Sequence, residues 1–376
     1  MLATVLFWLF IITIAIQCGY ALYFFTRIFN LPKRALKDRN AIVPVSVIVC
    51  AKDEARNLQQ NLPAVLGQQY QDHEGKVMYE VIVVNDASKD NTEDVLYKLE
   101  QHYSHLWHVT ISQDETRTFK GKKFALSKGV SYASHPYILM MDADCRPLND
   151  DWIHHMVAPF HNDKEIVAGY GAYKIHPGLL NAFIRWETLH TFLQYSTYAM
   201  AGKPYMAVGR NLACTKAAFM RAQESRVWNE LPSGDDDLLM HCCGDSTNTA
   251  LAGHRDSFTI SEPKTNWSEW LSQKRRHVST GKYYKEEIQG LLGVYAASHT
   301  IMWLLFFVLM YWTDWTLILI IMAMRCGIYW TIWQSTALRL QERKIFLWIP
   351  LCDLGWAIYN FVLSPYIIWK NKQQWK

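Results

Sequence analysis

The amino-acid sequence predicts a doubly wound, mainly parallel α/β domain set between apolar segments that are long enough to span a membrane. In the middle of the chain, short and continuously apolar runs alternate with helical stretches. This alternation is typical of strands buried on both faces of a parallel sheet. Long apolar segments occupy residues 2–25 and much of the chain after residue 289. A length of 376 residues allows one large domain or two smaller ones.

The first apolar segment, LATVLFWLFIITIAIQCGYALYFF, exceeds the ~20 apolar residues that a spanning helix needs. A cleaved signal peptide is the alternative, but no positive charge precedes the run and no A-x-A site follows it. The cations follow it, at Arg27, Lys33, Arg34, Lys37 and Arg39. Because positive charge stays in the cytoplasm, we predict an uncleaved anchor at 1–26, with its N-terminus outside, and a cytoplasmic domain at 40–288.

Three further spans are predicted within 289–370, at about 289–311, 315–337 and 345–369, with Trp and Tyr crowding their ends. Four spans would place the basic tail KNKQQWK outside, so one segment could instead be re-entrant or interfacial. Arg325 and Asp353 lie inside the apolar runs, where each costs roughly 2.5–3.5 kcal/mol on insertion scales. They could pair, face the soluble domain or lie near an interface.

The soluble part contains three predicted buried strands. They are VSVIVC at 45–50, VIVVND at 81–86 and YILMMDAD at 137–144, and the helical stretches between and after them are about 54–67, 90–102 and 121–134. Each strand ends in acidic residues, at Asp53 and Glu54, at Asp86, and at Asp142 and Asp144. Ligands of open α/β sheets bind at the carboxyl ends of strands, so we expect a ligand site at this edge.

The pair Asp142 and Asp144 forms a D-x-D motif, and alternate residues of a strand point to the same side. The sequence has no glycine-rich phosphate loop of the G-x-x-x-x-G-K-[ST] or G-x-G-x-x-G type. A divalent cation, Mg²⁺ or Mn²⁺, held by the two carboxylates would bridge to substrate phosphates instead. The alternative is a D-x-D in a surface turn that binds nothing, because the motif alone is common.

Bulk composition excludes some functions. A net charge of +4 is too small to predict nucleic-acid binding, whereas a modest basic excess suits a protein beside anionic lipid. The eight cysteines contain no C-x-x-C pair, so we predict reduced thiols in a reducing compartment.

Seven segments, in order between about residues 43 and 285, resemble motifs of the inverting glycosyltransferases of family two, which have the GT-A fold. The segments are VPVSVIVCAKDEARNL, VIVVNDASKDNT, KGKKFALSKGV, MDADCRP, GKPYMAVGRNLACTKAAF, SGDDDLL and QKRRH. Seven matches in this order are far more specific than D-x-D alone. The resemblance implies a GT-A-type domain, which the apolar segments described above would flank with one N-terminal and about three C-terminal membrane helices.

The resemblance also implies roles for individual residues. A nucleotide-sugar donor, expected to be UDP-linked, would bind at Ala51, Asp53, Glu54, Asp86, Lys122 and Asp142. Asp144 would be the direct metal ligand, assisted by Asp142. Asp236 would be the general base, with Asp235 and Asp237 as alternates. Gln273 would bind the acceptor or shape its entrance, and Arg276 would stabilise the departing diphosphate.

Three positions depart from the family pattern. Asn85 replaces an acid, Ala87 replaces a glycine, and His277 replaces a tryptophan. We expect Ala87 to be tolerated if its backbone angle is ordinary, and His277 bears on the type of acceptor. Residues 266–288 are amphipathic and predict an interfacial helix, with ordinary packing of Trp267 and Trp270 as the alternative.

The sequence therefore predicts a metal-assisted glycosyltransferase of the cell (inner) membrane and cell envelope. Its acceptor would be a membrane lipid or a lipid-linked saccharide, and one sugar or very few would be added. The alternatives are a processive polysaccharide synthase, a catalytically inactive membrane scaffold, and a sugar nucleotidyltransferase, which CAKDEARN does not fit. The sequence leaves the sugar and the oligomeric state open.

Overall fold

A computed structural model describes residues 1–31, 42–230, 234–278 and 280–363. The chain divides into two compact units. Of the described residues, the first contains Met1–Asn30, Ile175–Lys203 and those from Lys264 onward, and the second contains those within Leu31–Lys174 and Pro204–Pro263. Lys33, Arg34, Lys37 and Arg39, on which the predicted orientation rests, and the tail 370–376 lie outside the described residues.

The described strands are β1 Val45–Ala51, β2 Tyr79–Asp86, β3 Leu106–Ile111, β4 Tyr137–Asp142, β5 Cys145–Pro147, β6 Ile166–Ala168, β7 Gly171–Tyr173, β8 Leu212–Thr215, β9 Thr249–Leu251 and β10 Thr259–Ser261. They form a seven-stranded sheet in the order β3-β2-β1-β4-β8-β6-β9 and a three-stranded sheet in the order β5-β10-β7. β1 is parallel to both β2 and β4, and β2 is parallel to β3. β8 is antiparallel to β4 and β6, so the larger sheet is mainly parallel.

The described α-helices are α1 Leu2–Tyr23, α2 Ala55–Leu66, α3 Thr92–Glu100, α4 Lys122–Tyr132, α5 Trp152–Val157, α6 Leu179–Met200, α7 Lys216–Glu224, α8 Arg226–Glu230, α9 Asp235–Cys243, α10 Trp267–Val278, α11 Glu286–Trp312, α12 Trp315–Arg339 and α13 Ile349–Ile358. Short 3₁₀ helices cover Phe25–Asn30, Ala158–Asn162, Arg255–Ser257, Gly281–Tyr283 and Arg343–Trp348, and a π-helical turn covers Tyr359–Leu363.

The predicted fold class is confirmed, and β1, β2, β4 and the helices α2, α3 and α4 lie close to their predicted bounds. One detail of the third strand was wrong. β4 ends at Asp142, and Asp144 lies in the turn before β5. The turn after β4, and not the alternation of side chains along a strand, therefore brings the two carboxylates together.

The core of the second unit explains where α4 lies. Val45, Val47 and Val49 on one side of β1 are wholly buried, as expected for a strand covered on both faces. A Cβ at Gly129 of α4 would lie 2.7 Å from Ile48 Cγ2 and 2.9 Å from Val84 Cγ2. α4 thus packs directly on β1 and β2 at Gly129, which has no side chain. The first residue of α4 is Lys122.

The first unit contains four helical segments that are long and apolar enough to cross a membrane, among the described residues: Leu2–Asn30, Glu286–Trp312, Trp315–Arg339 and Lys344–Val362. The described part of the last predicted span, 345–369, ends at residue 363. In α10, Trp270 is buried and Trp267 is half exposed, and Trp270 lies 5.6 Å from the ring of Phe183. Trp270 therefore packs within its unit, and the interfacial role of this segment stays a prediction.

Arg325 and Asp353 pair with each other, which was one of the three predicted possibilities. Both side chains are wholly inaccessible, and the guanidinium of Arg325 bonds Asp353 Oδ2. His299 Nε2 lies 2.6 Å from Asp353 Oδ1, and Arg325 Nη2 donates to Gln17 Oε1 over 3.1 Å. Side chains from α1, α11, α12 and α13 thus meet in one buried polar cluster.

Candidate active site

The acidic edge of the larger sheet forms as predicted, because β2, β1 and β4 are neighbours and run parallel. In the register of the sheet, Cys50 lies opposite Asp142, and Ala51 opposite Asn85. The loops after β1 and β2 and the turn after β4 therefore leave the sheet at one edge. Asp86 and Asp142, the last residues of β2 and β4, and Asp53, in the loop after β1, therefore lie on the same side of the second unit.

Hydrogen bonds tie the loop after β1 to the loop after β2. The N–H of Asp53 donates to Ser88 Oγ over 2.9 Å, and the N–H of Lys89 donates to Asp53 Oδ1 over 2.6 Å. One step further, the N–H of Glu54 donates to Thr92 Oγ1 over 3.0 Å. The two loops form one surface, and one carboxylate oxygen of Asp53 helps to build it.

Both loops contain a residue in the left-handed region. Asp53 has φ of 56° and Ala87 has φ of 54°. Aspartate tolerates this conformation better than most residues, whereas a glycine would adopt it without steric cost. The condition under which Ala87 was expected to be tolerated, an ordinary backbone angle, is therefore not met, because the turn after β2 keeps the conformation that favours the glycine of the family pattern.

Asp86 is held by a cation that the sequence analysis missed. Arg117 Nη2 donates to Asp86 Oδ1 over 2.5 Å and Arg117 Nη1 lies 3.3 Å from Oδ2. The same guanidinium lies 5.5 Å from the ring centroid of Phe124. Asp86 is 2% exposed, so its carboxylate is fixed in orientation and carries a paired charge.

The D-x-D motif provides a cluster of oxygen ligands. Ligand atoms of Asp142, Asp144 and Cys145 all lie within 4.8 Å of one another. Burial, followed by repulsion from the Asp142 carboxylate, raises the pKa of Asp144, and burial holds the pKa of the Cys145 thiol well above its usual value. A neutral thiol is a poor ligand for hard cations, whereas two crowded carboxylates suit Mg²⁺ or Mn²⁺. The donor set therefore fits a divalent cation.

Lys122 links the D-x-D motif to the acidic triplet of α9. Its ammonium forms an ion pair with Asp142. Burial lowers the pKa of Lys122, but attraction by Asp142 and Asp235 outweighs it and holds this pKa well above the usual value. Lys122 is therefore charged at neutral pH, and its charge also acts on Asp236.

Within the triplet Asp235, Asp236 and Asp237, both carboxylate oxygens of Asp236 accept backbone hydrogen bonds. The N–H of Gly209 donates to its Oδ2 over 2.7 Å, and the N–H of Asp237 donates to its Oδ1 over 2.9 Å. Burial, and then repulsion by Asp235, raise the pKa of Asp236 to about 6, although both N–H bonds and Lys122 oppose the shift. A carboxylate with this pKa can accept a proton near neutral pH.

Two further cations near the site were not predicted. Lys123 is wholly buried, and its Nζ donates to the carbonyl oxygen of Trp228 over 2.8 Å. Burial lowers the pKa of Lys123 to about 8, although Asp235 and Asp236 oppose the shift.

Arg210 is the second of these cations. Its Nη2 donates to the carbonyl oxygen of Gly171 over 2.7 Å, and its Nη1 donates to the hydroxyl of Tyr173 over 2.8 Å. Its charge lowers the pKa of Asp144. Both cations lie in segments that resemble motifs of the family, since Lys123 follows Lys122 and Arg210 follows Gly209. A positive charge next to a residue of a motif was therefore the signal in the sequence that could have identified them.

Gln273 and Arg276 lie on α10, which belongs to the first unit. The structure groups the predicted site residues of the second unit. The roles assigned to all the site residues, Gln273 and Arg276 included, stay predictions.

The chain is similar to known proteins in sequence and in fold. Residues 46–221 match the family model for Glycosyl transferase family 2. The poly-beta-1,6-N-acetyl-D-glucosamine synthase of Staphylococcus aureus (strain COL) is 26% identical over 155 residues, which cover 41% of this chain and 34% of that protein. The synthase of the same name from Staphylococcus epidermidis is 25% identical over 155 residues, with the same coverage. The chain thus spans about a third of the length of these curated relatives.

Among solved structures, a mannosyltransferase from Pyrobaculum calidifontis in complex with GDP-Man and Mn²⁺ has a TM-score of 0.58 at 14% identity. The match covers 96% of this chain and 99% of that chain. At this identity the likeness concerns the fold, and it confirms a GT-A-like architecture.

Proposed function

We propose, from the premise that residues 46–221 of this chain form a glycosyl transferase family 2 domain, that the protein transfers a sugar from a nucleotide-sugar donor to a membrane-bound acceptor. The acceptor is a lipid or a lipid-linked saccharide. The observation that carries this proposal is the placement of Asp142, Asp144, Lys122 and Asp236 in one unit, with Lys122 paired to Asp142 and acting on Asp236.

Asp144 and Asp142 would hold a divalent cation, which supplies charge neutralisation for the donor diphosphate. Lys122 lies beside Asp142, and its ammonium contributes positive charge to the same diphosphate. When phosphate oxygens are present, they compete with Asp142 for this ammonium. The loop that contains Asp53 and Glu54, together with the ends of β1 at Ala51 and of β2 at Asp86, offers oxygen acceptors for the base and ribose.

Asp236 acts as the general base in this proposal. The acceptor hydroxyl forms a bond to the anomeric carbon, the bond from that carbon to the diphosphate oxygen breaks, and the hydroxyl proton goes to Asp236. The nucleoside diphosphate leaves with the electron pair. A single direct displacement inverts the anomeric centre. The raised pKa of Asp236, about 6, brings its basicity closer to the working pH than that of an ordinary aspartate.

The donor is tested by a screen of nucleotide sugars. Purified protein with membrane lipid extract is given UDP-linked and GDP-linked sugars, and released nucleoside diphosphate is measured. We expect release with one class of donor that depends on both the lipid extract and a divalent cation. Absence of release with every donor, while a bound nucleotide sugar is detected, would favour the inactive scaffold.

Polymer synthesis is the second candidate function, and the printed name of the Staphylococcus relatives, a synthase of a poly-beta-1,6-linked sugar, favours it. Two observations favour addition of one sugar or very few. His277 takes the place of the tryptophan of the family pattern, which removes a flat face suited to a sugar ring. Four helical segments of the described residues could cross a membrane. Four helices are few to enclose a polymer channel within one chain.

Product length decides between the two candidates. With donor in large excess, mass spectrometry of the early products should show acceptors that carry one sugar or a few. Long polymers that appear while most acceptor is unused would establish the synthase instead.

We also propose that the second unit faces the cytoplasm, where nucleotide sugars are made. Support comes from Arg27, which follows the first apolar helix. A protease site inserted beside the exposed residue His73 should be protected in intact cells and cut after permeabilisation. Cleavage in intact cells would reverse the proposed orientation.

A further inference from the structure

Outside the acidic edge, three side chains of the second unit converge on a common point. His155 lies on α5, and His254 and Asp256 lie at the 3₁₀ helix Arg255–Ser257. Ligand atoms of all three lie within 4.8 Å of one another. The two imidazole rings are nearly parallel, with an interplanar angle of 20° and centroids 4.4 Å apart. Both rings present a nitrogen to the same carboxylate oxygen of Asp256.

The separations within this cluster suit a bound cation better than direct hydrogen bonds. Asp256 Oδ2 lies 3.8 Å from His155 Nε2 and 3.4 Å from His254 Nδ1. Both distances exceed the ~2.7–3.2 Å of an N–H···O hydrogen bond. Ligands of a tetrahedral Zn²⁺ with bonds of ~2.0–2.1 Å lie about 3.3 Å apart. The N–H of Asp256 donates a hydrogen bond of 3.3 Å to His254 Nδ1, and a bound cation would take the lone pair of that nitrogen instead.

Neighbouring groups orient the carboxylate toward the two imidazoles. Asn149 Nδ2 donates to Asp256 Oδ1 over 2.9 Å, and Arg255 Nε lies 3.3 Å from the same oxygen. These contacts occupy Oδ1 and turn Oδ2 toward His155 and His254. Outer partners of this kind are typical of metal-binding carboxylates.

The cluster is sheltered but open on one side. The side chain of His155 is 5% exposed, and those of Asp256 and His254 are 16% and 18% exposed.

We propose that His155, His254 and Asp256 bind a divalent transition-metal ion of the Zn²⁺ class, with water completing the coordination. Imidazole ligands favour Zn²⁺ and related ions, whereas carboxylate oxygens favour Mg²⁺ and Mn²⁺. The two metal-binding clusters of the second unit would thus select different ions.

The position of this site in the fold indicates a stabilising role. Asp256 lies in the segment that leads directly into β10, and β10 pairs with β5. β5 begins at Cys145, directly after Asp144. A metal ion that joins α5 to this segment would brace the small sheet behind the D-x-D turn, so we expect its binding to raise thermal stability.

The test uses the full chain in detergent with Asp142→Asn and Asp144→Asn, which weaken the D-x-D site. After chelation, Zn²⁺ or Co²⁺ alone is titrated, and binding is followed by calorimetry, by the visible absorption of Co²⁺ and by the melting temperature. We expect one ion per chain and a higher melting temperature with Zn²⁺ but not with Mg²⁺. His254→Ala should weaken the affinity roughly 10- to 100-fold or more, as loss of a single orienting partner already does.

His73→Ala, which removes an exposed histidine outside the cluster, is the matched control and should bind the ion as the parent does. If His254→Ala fails to fold, Asp256→Asn decides, because it keeps the size of the side chain and removes only its charge. Binding that is unchanged in a folded His254→Ala or Asp256→Asn variant would overturn the proposal, as would no detectable Zn²⁺ binding by the parent.

Discussion

The backbone N–H of Gly209 donates a hydrogen bond of 2.7 Å to Oδ2 of Asp236. Together with the bond from the N–H of Asp237 to Oδ1, at 2.9 Å, it holds both oxygens of the central aspartate in α9. A carboxylate fixed in this way needs little reorganisation to accept a proton from a bound hydroxyl. These two bonds support the proposal that Asp236 is the base.

Asp236→Asn should lower kcat by roughly 10² or more, because general-base catalysis typically contributes 10²–10⁴. The amide keeps the size of the side chain but cannot take the proton. Release of nucleoside diphosphate measures turnover, and Asp235→Asn is the matched control, with a smaller expected loss. If donor affinity collapses in Asp236→Asn while kcat survives, Asp236 belongs to the donor site.

The pH profile should show the same group. Burial and the Asp235 charge raise the pKa of Asp236 to about 6, so the carboxyl becomes protonated as the pH falls through this value. A protonated base cannot accept the hydroxyl proton, and kcat/KM should therefore fall tenfold per pH unit below about 6. Measurements between pH 5 and 8 test this, and Asp236→Asn should lose the acidic limb. An unchanged acidic limb in that variant would assign the ionisation to another group.

Removal of the cation should abolish transfer reversibly. Chelation of the wild-type protein should stop turnover, and added Mn²⁺ or Mg²⁺ should restore it, because the paired carboxylates of Asp142 and Asp144 suit such ions. Asp144→Ala should be inactive even with excess metal, whereas Asp114→Ala, at an exposed loop position, should be unaffected. Full activity of wild-type protein in excess chelator would exclude a metal-dependent reaction.

The central strands of the sheet could be predicted because their apolar runs are continuous and end in polar residues. β9 was missed, since a strand of three residues is too short for a period to show. Lys123 and Trp228 were missed for another reason. Their contact joins residues 105 positions apart, and periodicity carries no information on such pairs. Motif resemblance located the acidic groups, but not the cations Arg117, Lys123 and Arg210 that neutralise or orient them.

The turn after β2 offers a test of backbone strain at Ala87, whose φ is 54°. Ala87→Gly relieves the steric cost of the left-handed conformation, about 1 kcal/mol, and this gain offsets the greater freedom of glycine in the unfolded chain. Ala87→Val should be destabilising, because β-branched residues avoid positive φ. Melting temperatures should rank Gly at or above Ala, and Val lowest. A Val variant as stable as the parent would show that the loop relaxes to an ordinary angle.

The buried pair Arg325–Asp353 predicts a strongly non-additive response in the first unit. Asp353→Asn leaves the Arg325 guanidinium buried without its countercharge, and Arg325→Met does the same to the Asp353 carboxylate, which also contacts His299 Nε2 at 2.6 Å. Removing one partner of a buried ion pair costs about 3–5 kcal/mol, whereas replacing both is often far less harmful. We therefore expect the temperature at which folded, monodisperse protein is lost in detergent to be lower for each single variant than for the wild type.

The double variant Arg325→Met/Asp353→Asn should recover part of that loss, and thermal scans of the four proteins form a double-mutant cycle. Additive losses would show that the two charges are stabilised independently of each other, with Gln17 and His299 as sufficient partners.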